Sequence, residues 1–229
     1  MAYVFTPPET PSVSVAGTDQ RFPVRRIFCV GRNYAEHTRE MGGDPDRELP
    51  FFFTKPADAI VESGTEISFP KATNDLHHEV ELVVAIGKEG ENIPVSDAKE
   101  HIFGFAVGID LTRRDLQKIA KEKGRPWDSG KAFDQSAPCG AITPATEIKN
   151  IENAKIRLTV NDDTRQSATI SDLIWTIDEV ISVLSESFIL MPGDLIYTGT
   201  PAGVGPLSIG DHVLGHVEGL ASIDIRLTS

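Results

Sequence analysis

The stretch NDLHHEVELVVAIG, residues 74–87, sets two acids into a run built to be buried. Val80, Leu82, Val83, Val84, Ala85 and Ile86 read as a buried strand. Side chains two apart on a strand share a face, so Glu79 and Glu81 stand side by side, with Val80 and Leu82 on the other face. Like charges repel, and each is costly to desolvate. A cation between the two, or a proton on one, has to resolve the conflict. Asp110 supplies a natural third acid, closing the apolar run FGFAVGID where the chain turns toward a helix. Three such carboxylates suit a hard divalent cation, and Mg²⁺ characteristically keeps several waters that a substrate can displace. The competing reading is a solvated edge strand with one acid paired to a lysine. His77 and His78 offer a zinc role, but a strand-like H-H-E-x-E is not the helical H-E-x-x-H pattern.

Further residues carry possible chemistry. His37 and Glu40 are spaced i, i+3, so on one helical turn they face the same way. There the glutamate can orient the imidazole as a general base toward water, the logic of a triad with water in place of serine. A casual contact on a solvated helix face is the alternative. Gln117 lies seven residues after Asp110, two helical turns on, so both can face one cleft. Lys131, between Gly130 and Ala132 in a loop, reads by pattern alone as a surface charge. YTGTPAGVGP, 197–206, follows a strand with three glycines and two prolines. Glycines admit a ligand close to the backbone, and free N–H groups bind anions, which nominates Gly199 and Thr200 as contacts to a substrate carboxylate. A tight turn is the alternative, and no G-K-[ST] follows to make a P-loop.

The elements that must hold these residues are mostly strands. RRIFCVG (25–31), FFFTKP, HEVELVVAIG, the end of DAKEHIFGFAVGID, KIRLTVND, DLIYTGTP and DHVLGHVEGLASIDIRL all read as strands. YAEHTREMG (34–42) reads as a short helix or an ordered loop, closed by Gly42 and Gly43, and GDPDRELP as a loop. LTRRDLQKIAKEKG (111–124) is the clearest amphipathic helix, with Leu111, Leu116, Ile119 and Ala120 apolar. The segment 170–188 has helical spacing, with Ser171 as candidate N-cap and Asp172, Asp178 and Glu179 toward solvent. Few helices and no βα repeat predict an α+β, mainly β fold. Residues 1–24, rich in proline, read as an extended arm, and 25–229 as one domain.

The chain has 229 residues and a net charge of −12, which argues against nucleic acid or an anionic membrane as partner. It leaves room for a small anionic substrate at a local cationic site. Neither a membrane-spanning apolar run nor a secretory leader is evident, so the expected compartment is the cytoplasm. Cys29 and Cys139 are far apart without C-x-x-C spacing and read as small buried residues.

Six blocks in order, VGRNYAEH, FFFTKP, HHEVELVV, GIDLTRRDLQ, GKAFDQSAPCG and YTGTPAGVGP, resemble the fumarylacetoacetate hydrolase superfamily, in particular its short acylpyruvase branch. The resemblance runs from about Arg25 to about Leu227. It implies a mixed β-sandwich roll with a few short helices, a homodimer, and Mg²⁺ or Mn²⁺ held by Glu79, Glu81 and Asp110. The VGRNY block has no acid, so three carboxylates plus waters complete the ligand set. The resemblance also implies a catalytic His37–Glu40 pair on a segment that orders over substrate. It makes Lys131 an active-site cation, puts Gln117 near the water or substrate, and makes Arg32 and Lys55 candidate carboxylate binders. Arg114 reads as paired with Asp115, and Arg113 as a candidate for a distal carboxylate. The implied activity is hydrolysis of a carbon–carbon bond in an acylpyruvate, with fumarylpyruvate foremost. Oxaloacetate decarboxylation, isomerisation of an unsaturated oxo-acid and a non-catalytic metal-binding scaffold are the alternatives.

Overall fold

Strands apolar at both odd and even positions need cover on both faces. The structure, a computed structural model, describes residues 2–42 and 48–229 and supplies that cover. The strand Val80–Ile86 lies in the middle of a mixed sheet ordered Phe51–Lys55, Arg26–Gly31, Asp194–Tyr197, Val80–Ile86, Ile102–Ile109, Ala137–Cys139, Ile60–Glu62. Val80, Leu82, Val84 and Ile86 enter one core, and Val83 and Ala85 a second on the opposite face. Neighbouring strands split the same way: Phe28 and Val30 join the first core, Ile27 and Cys29 the second.

The first core is closed by a five-stranded sheet ordered Asp163–Thr169, Lys155–Val160, His212–Val217, Ile223–Thr228, Thr65–Ser68, which contributes Ile156, Leu158, Val213 and Ile225. The result is a mainly β, α+β sandwich of curled sheets. The second core is closed by Val13, Val15, Phe22 and Val24 from the hairpin Ser12–Ser14 and Arg21–Pro23. The segment expected as an extended arm is thus exposed through its first nine described residues and then folds into the second core. Both cysteines are buried and free, and burial pushes the pKa of each thiol up.

The helices are short: Ala35–Glu40, Arg114–Glu122, Asp128–Lys131 and Ile177–Ser187. Arg114–Glu122 begins three residues later than its sequence pattern suggests, because Leu111 is buried and Thr112–Arg113 forms a short strand. Its inward face holds Gln117 and Ala120, while Ile119 is 45% exposed. This helix therefore presents polar groups inward, which an apolar periodicity does not report. Ile177–Ser187 is capped by Thr176 in a reciprocal capping box with Glu179, not by Ser171, which lies in a separate 3₁₀ turn. The loop expected over 43–50 falls, for residues 43–47, outside the described residues. None of the described helices is long and apolar enough to cross a membrane.

What positions the acids is a change of sheet. Leu76–His78 pairs with Thr112–Arg113 and Gly205–Pro206 in a small separate sheet, and the chain enters the central sheet only at Val80. Glu79 sits at that junction, and its carbonyl accepts a hydrogen bond from the Asp110 N–H at 2.8 Å. The two central strands thus leave the sheet side by side, each with an acid at its end. Glu81 lies opposite Gly108 in the ladder. A β-carbon at Gly108 would stand 2.5 Å from both Tyr197 Cε1 and Val83 Cγ2, so only glycine fits there.

Candidate metal centre and active site

Glu79, Glu81 and Asp110 are 5%, 2% and 0% exposed, and each offers a carboxylate oxygen within 4.8 Å of the others. Three cations are drawn to them. Lys131 Nζ donates to Glu79 Oε2 at 2.7 Å, Asp110 Oδ2 at 2.6 Å and Thr112 Oγ1 at 2.6 Å. Arg114 donates through Nη2 to Glu79 Oε1 and through Nη1 to Gln117 Oε1 at 2.6 Å. Lys55 Nζ lies 2.8 Å from Asp110 Oδ1. It donates, however, to the carbonyls of Leu111, at 3.2 Å, and Lys131. Proximity alone does not make a hydrogen bond, and Asp110 Oδ1 remains buried without a donor. A triad of buried carboxylates, one oxygen of which is held by an ion pair to Lys55 and no hydrogen bond, is what a hard cation would satisfy, and the all-oxygen donor set fits Mg²⁺ or Mn²⁺.

The cations divide the acids electrostatically. Burial alone would raise the Glu79 carboxyl, but Lys131, then Arg114 and His37, override it and hold it well below the usual range. Glu81 goes the other way: burial, then the charges of Asp110 and Glu79, push it well up, against Lys131 and the Gly199 N–H. Burial also opposes the Lys131 ammonium, but Asp110 and Glu79 outweigh it and raise its pKa. The conflict posed by the paired glutamates is therefore met twice over, by a lysine at Glu79 and by a proton-retaining tendency at Glu81.

Across the same cavity stands His37, 7% exposed, on the helix Ala35–Glu40. Its Nδ1 is 3.1 Å from Glu40 Oε2, which leaves Nε2 as the ring nitrogen not engaged by that glutamate. Glu40 is itself held, accepting the Gly203 N–H at 3.1 and 3.2 Å. The entry to this helix is fixed by Asn33, whose side-chain amide donates to the carbonyls of Thr198, at 2.8 Å, and Trp175, at 3.0 Å.

The remaining sequence candidates take different places. Arg32, Gln117 and Thr200 line the cavity with the triad, His37 and Lys131. Lys55 does not: it is buried beneath Asp110 and spent on backbone carbonyls, so its position is that of a brace behind the metal site. Gly199 directs its N–H at Glu81 Oε2, at 2.7 Å, and that donor is already used. The residue must be glycine, since φ is +102° and a β-carbon would lie 2.7 Å from that of Asn33.

Arg114 faces Glu79 rather than Asp115, which accepts instead from Thr73 Oγ1 at 2.7 Å and the Asn74 N–H at 3.2 Å. Arg113 stacks 4.2 Å from the ring centroid of Phe133 and is not on the cavity wall. His77 pairs with Asp75 and His78 with Gln166, so neither joins the acids as a ligand in this arrangement.

Sequence reasoning passed over two participants. Gln166, fully buried, accepts from the Val80 N–H at 3.0 Å and donates to Thr200 Oγ1 and the Pro201 carbonyl, each at 2.8 Å. It locks the glycine-rich turn against the start of the acid-bearing strand. The second is Lys121, which recurs with Arg114 and the already nominated Gln117 at i+7, i and i+3 on the cavity face of the helix 114–122. That polar stripe was present in the sequence as a signal.

Residues 26–228 match the family model described as fumarylacetoacetate (FAA) hydrolase C-terminal. The fumarylpyruvate hydrolase of a Ralstonia species is 46% identical over 184 residues, covering 80% of this chain and 95% of that protein. The crystal structure of fumarylpyruvate hydrolase from Pseudomonas aeruginosa in complex with Mn²⁺ and pyruvate is 50% identical. It superposes with a TM-score of 0.96 and covers 99% of each chain. The mitochondrial oxaloacetate tautomerase of Homo sapiens is 39% identical over 203 residues, covering 89% of this chain and 91% of that protein. The chain belongs to the fumarylacetoacetate hydrolase family.

Proposed function

We propose that this protein is a divalent-metal-dependent hydrolase that cleaves the carbon–carbon bond of an acylpyruvate, with fumarylpyruvate yielding fumarate and pyruvate. One observation carries the reading: a buried acid triad and a His–Glu pair open onto the same cavity. The fumarylpyruvate hydrolases of Ralstonia and Pseudomonas aeruginosa support the substrate. Mg²⁺ or Mn²⁺, held by Glu79, Glu81 and Asp110, supplies Lewis acidity that favours an enolate over its keto form. With the three acids already balanced by Lys131, Arg114 and Lys55, an added dication leaves the site net positive, as an anionic oxo-acid requires.

The residues divide the work. His37 Nε2 takes a proton from water, while Glu40, anchored on Gly203, keeps the imidazole aimed. The water oxygen adds to the acyl carbonyl carbon. The bond from that carbon to the neighbouring methylene breaks, its electron pair passes into the pyruvate enolate, and the methylene carbon then takes up a proton. Lys131 holds a positive charge where negative charge accumulates on the enolate oxygen. Gln117, tied to Arg114, and Thr200 contribute polar contacts along the wall. As the sequence resemblance implies, the enzyme acts as a homodimer.

The test is to supply metal-loaded protein with fumarylpyruvate and, separately, oxaloacetate, with and without EDTA. Pyruvate release and loss of enol absorbance are followed. Fast EDTA-sensitive cleavage of fumarylpyruvate is expected, and His37→Ala should abolish it. Rapid oxaloacetate turnover with fumarylpyruvate untouched would show that the hydrolase reading is wrong and favour the chemistry of the oxaloacetate-handling relatives.

A further inference from the structure

Two cations in the cavity remain unaccounted for by the triad. Arg32 is exposed and Lys121 half-buried, and both line the same cavity as the acids. Neither has a carboxylate partner among the described residues: Arg32 lies 5.9 Å from the Phe51 ring centroid, and the charges felt by Lys121 are the guanidinium groups of Arg32 and Arg114. Burial, then those two like charges, lower the Lys121 pKa. In a chain with 34 acids and 22 bases, two cations on one cavity wall with no carboxylate partner among the described residues are unusual. Arg32 is unusual in its backbone as well. Its φ of +56° lies in the left-handed region, which non-glycine residues adopt uncommonly and at an energetic cost.

The helix Arg114–Glu122 sets the spacing. Arg114, at Glu79, and Lys121 are seven residues apart on one face, about 10 Å at 1.5 Å per residue. An extended oxo-diacid spans a comparable length, with one end at the acid triad and the other at the exposed end of the cavity. Phe51 and Trp127, whose rings meet edge to face with centroids 5.4 Å apart, line the wall and suit a flat conjugated chain.

We propose that Lys121 completes a second anion site at the cavity mouth beside Arg32, whose carboxylate binding the resemblance already implies, and that this site takes the distal carboxylate of a dianionic acylpyruvate and selects it over monoanionic ones. The identity of the anion rests on the hydrolase reading above; the anion site itself does not.

Steady-state kinetics with fumarylpyruvate and with acetylpyruvate, on metal-loaded wild type, Arg32→Gln, Lys121→Gln and Lys121→Arg, test the assignment. A hydrogen-bonded charge of this kind is worth about ten- to hundredfold in affinity. Lys121→Gln should therefore raise the KM for fumarylpyruvate by that factor, with a much smaller change for acetylpyruvate, and Lys121→Arg should restore most of the loss. Calorimetric titration with fumarate, which needs no turnover, should weaken in parallel in both glutamine variants. Equal losses for the two substrates, or fumarate binding indifferent to Lys121→Gln, overturn the anion site. Wild-type protein that cleaves neither substrate but binds fumarate through Lys121 overturns the hydrolase reading and leaves the anion site standing.

Discussion

Glu81→Gln should do two opposite things: stabilise the metal-free protein and remove its response to metal. Glu81 is 2% exposed, and its carboxylate lies within 4.8 Å of those of Asp110 and Glu79. At an effective dielectric constant of about 20, two unit charges at that 4.8 Å limit repel by about 3.5 kcal/mol. Protonation sets a ceiling on the cost. Protonating a carboxyl of ordinary pKa 4.5 at pH 7 takes about 3.4 kcal/mol, at about 1.4 kcal/mol per unit. Glutamine keeps the shape, can retain the acceptor for the Gly199 N–H at 2.7 Å, and presents an amide donor to the neighbouring acids. A gain of about 1–3 kcal/mol is expected at neutral pH, read as about 2–4 °C in Tm per kcal/mol for a chain of this size.

The sign with pH follows from the direction of the shift. The Glu81 carboxyl is raised in the folded state, so the folded protein holds this proton more tightly than the unfolded chain. The wild type therefore enjoys its full relative stability below the unfolded value of 4.5 and loses it as pH rises through the raised folded value. The advantage of Glu81→Gln should vanish in acid and open above pH 4.5. Metal at a hundredfold excess over Kd adds about 2.7 kcal/mol to the wild type. In Glu81→Gln that increment should disappear, because one of three charged ligands is gone. Thermal melts of EDTA-treated protein across pH, with and without Mn²⁺, read both effects. A metal-free variant that melts at or below the wild type at pH 7 refutes the repulsion argument, and a retained Mn²⁺ shift refutes the triad as the metal site.

Two further outcomes are open to measurement. Glu40→Gln leaves one amide oxygen to serve both the His37 ring and the Gly203 N–H, so kcat should fall with KM held. The loss should be smaller than the roughly 10²–10⁴-fold expected on removing the base itself, and an unchanged kcat counts against the pair. Gly108→Ala forces a methyl group to 2.5 Å from Tyr197 and Val83, and the Tyr197 hydroxyl is held by the Pro138 carbonyl at 3.1 Å. Overpacking there should cost about 1–3 kcal/mol in urea unfolding, and a neutral result means the strand pair can shift.

What the sequence makes legible, and what it hides, follows from the range of the interactions. The strand Val80–Ile86 is readable because its periodicity is local, and the same period of two puts Glu79 and Glu81 on one face. His37 and Glu40 are readable because one helical turn joins them. Gln166 is hidden: its bond to the Val80 N–H spans 86 residues, and nothing near it in the chain distinguishes it from other polar residues on a strand. Lys55 is misplaced for the same reason, since its partners lie 56 and 76 residues away. Arg114 was misread by a local rule, because adjacent helical residues do not face each other and Asp115 could not be its partner.

The change of sheet at Glu79 lies between these extremes and explains where the chemistry sits. Within the central sheet both faces are packed mainly with apolar side chains, and a buried acid needs a cation brought to it, as Arg25 and Arg26 are to Asp194. In open loops an acid is solvated and weakly held. Where Val80–Ile86 and Ile102–Ile109 leave the sheet together, the backbone is still fixed by the Asp110–Glu79 hydrogen bond, but the side chains meet a cavity instead of a core. Burial, rigidity and access coincide at that edge. A hydrophobic run read alone marks its approach, and the glutamate that interrupts the run marks the edge itself.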